Sequence, residues 1–213
     1  MEKNAENIEV FTQNSIRIKG SIGTVYVDTF KMSDEPHDAD YVFITHDHYD
    51  HFNMEDLPKV CKSDTILIVP ENMKEKAREA ASFVKKIVTV CVDEKRTVGD
   101  ICFETVPSYN IGKPFHPKDA GWVGYILIID QERIYIAGDT DATDEVKTVK
   151  CDIALVPIGG KYTMNAEEAA GLINIIKPVI AIPTHFGGIV GSDSDAKIFS
   201  ELVKEPVKVV RRI

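Results

Sequence analysis

An α/β arrangement of layers, two sheets packed face to face with helices on the outside, is the fold class this sequence predicts. Three observations carry the prediction. Short β-branched runs closed by Gly, Pro, Asp or Asn recur along the whole chain. Three intervening segments carry a helical pattern instead. Early strands follow one another as hairpins, whereas later ones alternate with helices, a mixture that suits sheets covered by helices.

Taken in order, strands are expected at residues 9–12, 15–19, 24–27, 41–45, 65–69, 87–90, 101–105, 123–129, 133–137, 153–156, 179–182 and 207–210. Gly20, Asp28, Pro70, Asp130, Gly138, Pro157 and Pro183 are among the residues that close them. Helices are expected at 72–83, 165–176 and 194–204. The second is the clearest, with Asn165 as its cap, Glu167 and Glu168 in its first turn and Pro178 beyond its end. No repeat, low-complexity stretch or linker interrupts the pattern, so one domain over residues 1–213 is expected.

Composition narrows the function. A hydrophobic content of 44% and a charged content of 28% are ordinary for a soluble globular chain. The net charge of −9 argues against a nucleic-acid binder, which needs a surplus of Lys and Arg along one face, while bound cations would still admit an anionic small molecule. Cys61, Cys91, Cys102 and Cys151 form no C-x-x-C pair and sit beside apolar residues, which reads as buried reduced thiols in a reducing compartment. The start, Met1 to Glu6, is polar and lacks the apolar core of a signal peptide, and the apolar run 125–129 falls far short of the roughly 20 residues that span a bilayer. A cytoplasmic protein is the expectation, and a homo-oligomer remains open.

The chemistry concentrates in Thr45-His46-Asp47-His48-Tyr49-Asp50-His51, directly after the apolar run 41–44; three of the six histidines lie there. A strand carried through His46 points residues 46, 48 and 50 to one face, so two imidazoles and a carboxylate converge. His51 breaks that parity and needs a turn near Asp50, for which the following residues, with Asn53 as a helix cap, provide. Imidazole and carboxylate suit Zn, Mn or Fe, and four such groups this close exceed what one ion takes from adjacent positions. Two ions are the natural reading. Further along, strand 133–137 ends in Gly138-Asp139-Thr140 and strand 179–182 ends in Pro183-Thr184-His185, each placing a potential ligand just past a strand end. Alone, the first is a common turn and the second an ordinary semi-buried histidine.

Together these residues resemble the metallo-β-lactamase superfamily, whose H-x-H-x-D-H motif reads here as His46, His48, Asp50 and His51, with the later Asp and His as Asp139 and His185. The resemblance runs from about Phe11 to Gly188. Through residues 157–164 and the helix that follows, the chain is most similar to the UlaG-like metal-dependent hydrolases. The resemblance implies a four-layer αββα sandwich. It implies that His46 and His48 hold a first metal, that Asp50, His51 and His185 hold a second, that Asp139 bridges them, and that Asp28 orients a ligand histidine. Many relatives supply a third first-site histidine after a strand end, where this chain has Asn110. His116, six residues on, or Asn110 completes the site, with His116 preferred.

The implied activity is hydrolysis of a small ester, lactone or phosphoester through a metal-bound hydroxide, with two divalent ions, Zn ahead of Mn or Fe. Asp50 also orients the attacking group in this reading. Lys161, Tyr162 and Tyr109 are candidates to steady the leaving oxygen or a substrate anion, or are ordinary loop residues. Trp122 lines the pocket, an interface or the core, and His37 is solvated. A metal-binding protein of the same fold with weak or no catalysis and a regulatory role is the alternative, kept open by Asn110.

Overall fold

Residues 5–213 are described by a computed structural model; Met1 to Asn4, which begin the polar start read above, lie outside them. The first sheet runs in the order β1-β2-β3-β4-β5-β6, built from β1 (Ile8–Val10), β2 (Ile16–Gly20), β3 (Gly23–Val27), β4 (Ala39–Phe43), β5 (Cys61–Pro70) and β6 (Lys86–Val90). Its first three strands are antiparallel and its last three join in parallel. The second sheet holds β7 (Lys95–Val98), β8 (Ile101–Pro107), β9 (Val123–Ile129), β10 (Glu132–Ile136), β11 (Ile153–Pro157), β12 (Ile180–Thr184) and β13 (Lys208–Val209). It repeats the plan, antiparallel from β7 to β10 and parallel from β10 to β13. Both sheets are therefore mixed, so hairpins are not confined to the early part of the chain.

Alternation along single strands shows how the layers form. In β4, Tyr41 and Phe43 face a core shared with Phe103, Tyr125 and Leu127 of the second sheet. Their neighbours Val42 and Ile44 face the opposite way, against α1 (Leu57–Val60) and α2 (Lys74–Ala77) through Leu57, Val60 and Ala77. In β11, Ile153 and Leu155 point into the shared core while Ala154 and Val156 meet α3 (Ala166–Ile176) and α4 (Asp193–Leu202) through Leu172, Ile173 and Phe199. Period-two strands with both faces apolar, each face covered by a different layer, give the αββα sandwich.

Three expectations change. The helix read at 72–83 is a short α2 between 3₁₀ turns at Glu71–Met73 and Arg78–Ala80. Only Met73, Ala77 and Ala80 are buried there, too little apolar surface to hold one long regular helix. Asn53 caps a turn rather than a helix: its Oδ1 accepts from the amides of Glu55 and Asp56 at 3.0 and 3.1 Å, and α1 starts only at Leu57. Strand β7, Lys-Arg-Thr-Val, went unread because three of its four residues are exposed and polar, as suits a sheet edge that must not recruit another strand. Among the cysteines Cys61 is buried and Cys151 partly so, burial pushing both thiols up to about 12, whereas Cys91 and Cys102 are exposed.

Two glycines matter for the site. Gly124 lets β9 close on β10, where a Cβ would stand 2.7 Å from the Ala137 carbonyl oxygen. Gly138, at φ +65°, turns the chain after β10 and so aims Asp139.

Candidate metal centre

The strand ends that converge on one edge of the sandwich each deliver one polar segment. Loops after β3, β4, β8, β10 and β12 carry Asp28, residues 46–51, Asn110 and His116, Asp139 and His185. Crevices beyond the carboxyl ends of strands are where α/β sheets place ligands, because the chain there is free of ladder hydrogen bonds. Asp28 and His185 hold left-handed backbones, at φ +50° and +56°, conformations that non-glycine residues keep only where the surroundings impose them.

All seven ligand candidates come together. Three overlapping groups have their donor atoms within 4.8 Å of one another: His46, His48 and His116; His46, His51 and Asp139; Asp50, His51 and His185. His46 Nε2 lies 3.0 Å from His48 Nδ1 and 3.4 Å from His116 Nε2. Asp139 stands between the groups, Oδ2 at 3.4 Å from His116 Nε2 and 3.2 Å from His185 Nε2, Oδ1 at 3.4 Å from His51 Nε2. Asp50 Oδ2 is 3.5 Å from His185 Nε2. Apart from half-buried His48, every member is buried.

These groups suit a metal better than one another. His51 Nε2, His185 Nε2 and Asp139 Oδ1 are buried without a hydrogen-bond partner, a costly state for charged or strongly polar atoms. Donor atoms roughly 2.0–2.1 Å from a tetrahedral ion stand about 3.4 Å apart, which is the spacing of the five 3.2–3.5 Å separations above.

The far ring nitrogens are held from behind. Thr45 Oγ1 lies 2.9 Å from His46 Nδ1, and Asp28 Oδ2 lies 2.8 Å from His51 Nδ1. Asp28 is itself fixed by the Thr45 amide at 2.8 Å and by the Asn14 side-chain amide at 2.7 Å. Asn110 Oδ1 lies 2.9 Å from His116 Nδ1, and the main-chain N–H of Asn110 donates to the His116 carbonyl at 2.8 Å. Asn110 thus sits behind His116 and leaves its Nε2 facing the cluster. Such supports fix which ring nitrogen is free to ligate. Trp122 packs its ring 5.0 Å from those of His46 and His48 and 5.4 Å from that of His116, walling this side of the cluster.

Electrostatics divide the histidines. Burial pushes His46 well below the usual imidazole range and His116 down to about 4, and it lowers His48 as well. Burial also opposes charge on His51 and His185, but Asp139 overrides it, assisted by Asp28 at His51 and by Asp50 at His185; His51 rises well above its usual value and His185 to about 9. Burial would raise Asp139 too, yet His185 and His51 hold it well below the carboxylate range, and His185 and His51 likewise lower Asp50. Without a metal, protons on two histidines neutralise the carboxylates. A cation there would do the same work and release them.

A cavity of about 250 Å³ opens over the cluster, lined by His48, Asp50, His116 and Asp139 together with Tyr49, Phe115, Tyr162 and Ile189. Tyr162 is therefore at the site. Lys161 is exposed and does not line the cavity; its ammonium lies 5.0 Å over the Tyr162 ring. Tyr109 is turned elsewhere, its hydroxyl donating to Glu145 at 2.8 Å. His37 is exposed, with Nδ1 3.0 Å from the Cys61 carbonyl oxygen. A larger open groove, about 810 Å³, holds none of the cluster; within it Glu104 pairs with Arg133 at 2.9 Å and with Lys95 at 3.3 Å. Sequence reasoning missed Asn14, Thr45, Tyr49, Phe115 and Ile189. Thr45 and Tyr49 carried a signal, their places beside His46 and His48; Asn14 owes its role to the β2–β3 pairing, and Phe115 and Ile189 owe theirs to the meeting of distant loops.

Comparison with known proteins gives the family and the fold. The family model of the beta-lactamase superfamily domain matches residues 7–185. A UPF0173 metal-dependent hydrolase of Aeropyrum pernix is 30% identical over 194 residues, covering 81% of this chain and 76% of that protein. A UPF0173 protein of Pyrococcus abyssi is 31% identical over 185 residues, covering 84% and 82%. A crystal structure from Parabacteroides distasonis, 28% identical, superposes with a TM-score of 0.81 over 96% of this chain and 91% of that one. Igni18, a metallo hydrolase from Ignicoccus hospitalis, shares the fold at 19% identity, with a TM-score of 0.77 over 96% and 93%. Among the described residues no helix is long and apolar enough to cross a membrane. The chain belongs to the metallo-β-lactamase superfamily and, within it, to the UPF0173 metal-dependent hydrolases.

Proposed function

We propose that the protein is a dinuclear hydrolase of a small ester, lactone or phosphoester. The observation that carries this reading is the position of Asp139, whose oxygens face both the His46, His48 and His116 group and the His51, His185 and Asp50 group. One tetrahedral ion cannot use seven donors. In this reading His46, His48 and His116 would hold the first ion, Asp50, His51 and His185 the second, and Asp139 would serve both. The donor set of imidazole and carboxylate suits Zn, with Mn or Fe as alternatives. Such ions would supply a Lewis acid for a carbonyl or phosphoryl oxygen and lower the pKa of water to near 7.

The chain's own residues do the rest. Thr45, Asp28 and Asn110 keep the imidazoles oriented, so little reorganisation accompanies reaction. Trp122 excludes water from one side of the cluster. Asp50 also lines the cavity, where its carboxylate can orient the attacking water and take its proton. Tyr162, on the same cavity, offers its phenol proton to the leaving oxygen. An anionic end of a substrate would meet Lys161 only at the rim, beyond the cavity lining.

Metal analysis of protein saturated with Zn or Mn, paired with a screen of esters, lactones, phosphomonoesters and phosphodiesters, tests the proposal. Two ions per chain and turnover that follows metal content are expected. A ceiling of one ion, or two ions with no turnover of any class, would overturn it.

A further inference from the structure

The polar half of the cavity is accounted for by the cluster; of its other half only the Tyr162 hydroxyl has a part in the proposed reaction, and its rings and aliphatic groups have none. Tyr49 is 63% exposed, Phe115 40% and Ile189 38%, and with Tyr162 they line a space next to buried carboxylates. Apolar side chains left facing water around a concave site mark a surface that something apolar covers. Phe115 and Tyr162 meet edge to face, with centroids 4.7 Å apart and planes at 85°, so they support one another as a wall. Among the described residues no Lys or Arg lines the cavity, and Asp50 and Asp139 are the carboxylates on it. A charged substituent would find no counter-charge on that wall. A volume of about 250 Å³ is on the order of eight waters, room for a substituent of about six to eight carbon atoms.

We propose that this wall is an acyl subsite, so that Tyr49, Phe115, Tyr162 and Ile189 select a carboxylic ester whose scissile carbonyl bears an uncharged alkyl or aryl group. The inference rests on the hydrolase reading and narrows its substrate class. The water oxygen forms the new bond to the acyl carbon, the ester C–O bond breaks, and one water proton goes to the departing alcohol oxygen; the acid product keeps its apolar group against the wall.

Two measurements on the metal-loaded protein separate this subsite from the hydrolase reading. The first is kcat/KM across p-nitrophenyl acetate, butyrate, hexanoate and octanoate. The second is calorimetric binding of the alkanoates of the same lengths. Each buried methylene is worth up to about 4-fold, so kcat/KM and affinity should both rise by about 10-fold or more from two carbons to six. Phe115→Ala and Ile189→Ala should flatten both series to within about 3-fold, while Ile175→Ser, an exposed apolar residue on α3, leaves them unchanged. Circular dichroism checks that the variants fold. Turnover with a flat series overturns the subsite and leaves the hydrolase. Alkanoate affinity that rises with length and flattens in Phe115→Ala, with no turnover of any ester, supports the subsite and removes the ester-hydrolase reading. If Tyr49→Ser with Phe115→Ser instead turns a dimer into a monomer in sedimentation while the wild-type series is flat, the wall is a contact between copies and the subsite is overturned.

Discussion

His116 and Asn110 show how much one residue's role depends on which atom it presents. In sequence they compete for one ligand position, yet in space the asparagine stands at the histidine's far nitrogen, 2.9 Å from Nδ1. Direct ligation and support from behind differ in consequence. His116→Ala should weaken metal binding at the first site by 10-fold or more, and Asn110→Ala should weaken it by a smaller factor, because the imidazole remains but loses its orientation. Metal titration against a competing chelator measures both. Equal losses, or a larger loss at Asn110, would mean that the amide rather than the imidazole meets the ion. Thr45 and Asn14 act in the same indirect way, through His46 and through Asp28.

At the scale of elements, α3 links stability to the site. Its capping box is complete: Asn165 Oδ1 accepts from the Glu168 amide at 2.8 Å, and Glu168 Oε2 accepts from the Asn165 amide at 2.9 Å. The same asparagine pairs with Gly159, and the Gly160 amide donates to the Met164 carbonyl at 2.9 Å, so the cap also closes the loop that carries Lys161 and Tyr162. Asn165→Ala should cost about 1 kcal/mol in urea unfolding. A midpoint unchanged from wild type would show that the bridge and the packing of Leu172 and Ile173 hold the helix start without its cap.

For the molecule as a whole, folding and metal binding are one equilibrium. The strand ends that bring the donors together also bring together Asp28, Asp50 and Asp139, which repel one another unless protons or cations intervene. Cations that bind only the folded chain therefore stabilise it. At a free metal concentration 100 times the dissociation constant, each of the two proposed sites would add about 2.7 kcal/mol, which for a chain of this length would raise Tm by about 5–10 °C per site. Thermal unfolding with excess Zn against excess chelator should show that shift, and His185→Ala should remove the part belonging to the second site. A Tm indifferent to metal would mean the cluster is held by its protons alone.

Most local signals were enough for the sequence alone to determine the outcome, although the helical pattern at 72–83 and the cap expected at Asn53 were not. Alternating apolar runs placed twelve of the strands, Asn165 and Pro178 bounded α3, and the spacing of His46, His48, Asp50 and His51 pointed to metal chemistry and to the superfamily. These follow from periodicity, capping and ligand spacing, which act over a few residues. The tertiary structure alone decided what depends on separate loops meeting. It put Asn110 at the far nitrogen of His116, joined Asn14 to Asp28 at the end of the β2–β3 hairpin, kept Lys161 out of the cavity, and gathered Tyr49, Phe115, Tyr162 and Ile189 into one apolar wall. Asn14 and Asp28, and Asn110 and His116, lie close in sequence, but only the folded hairpin and loop show which atoms face one another. The cavity wall arises from the packing of two sheets whose strand ends bring Tyr49 beside Tyr162 and Ile189, more than a hundred residues apart, and no window of sequence contains that distance.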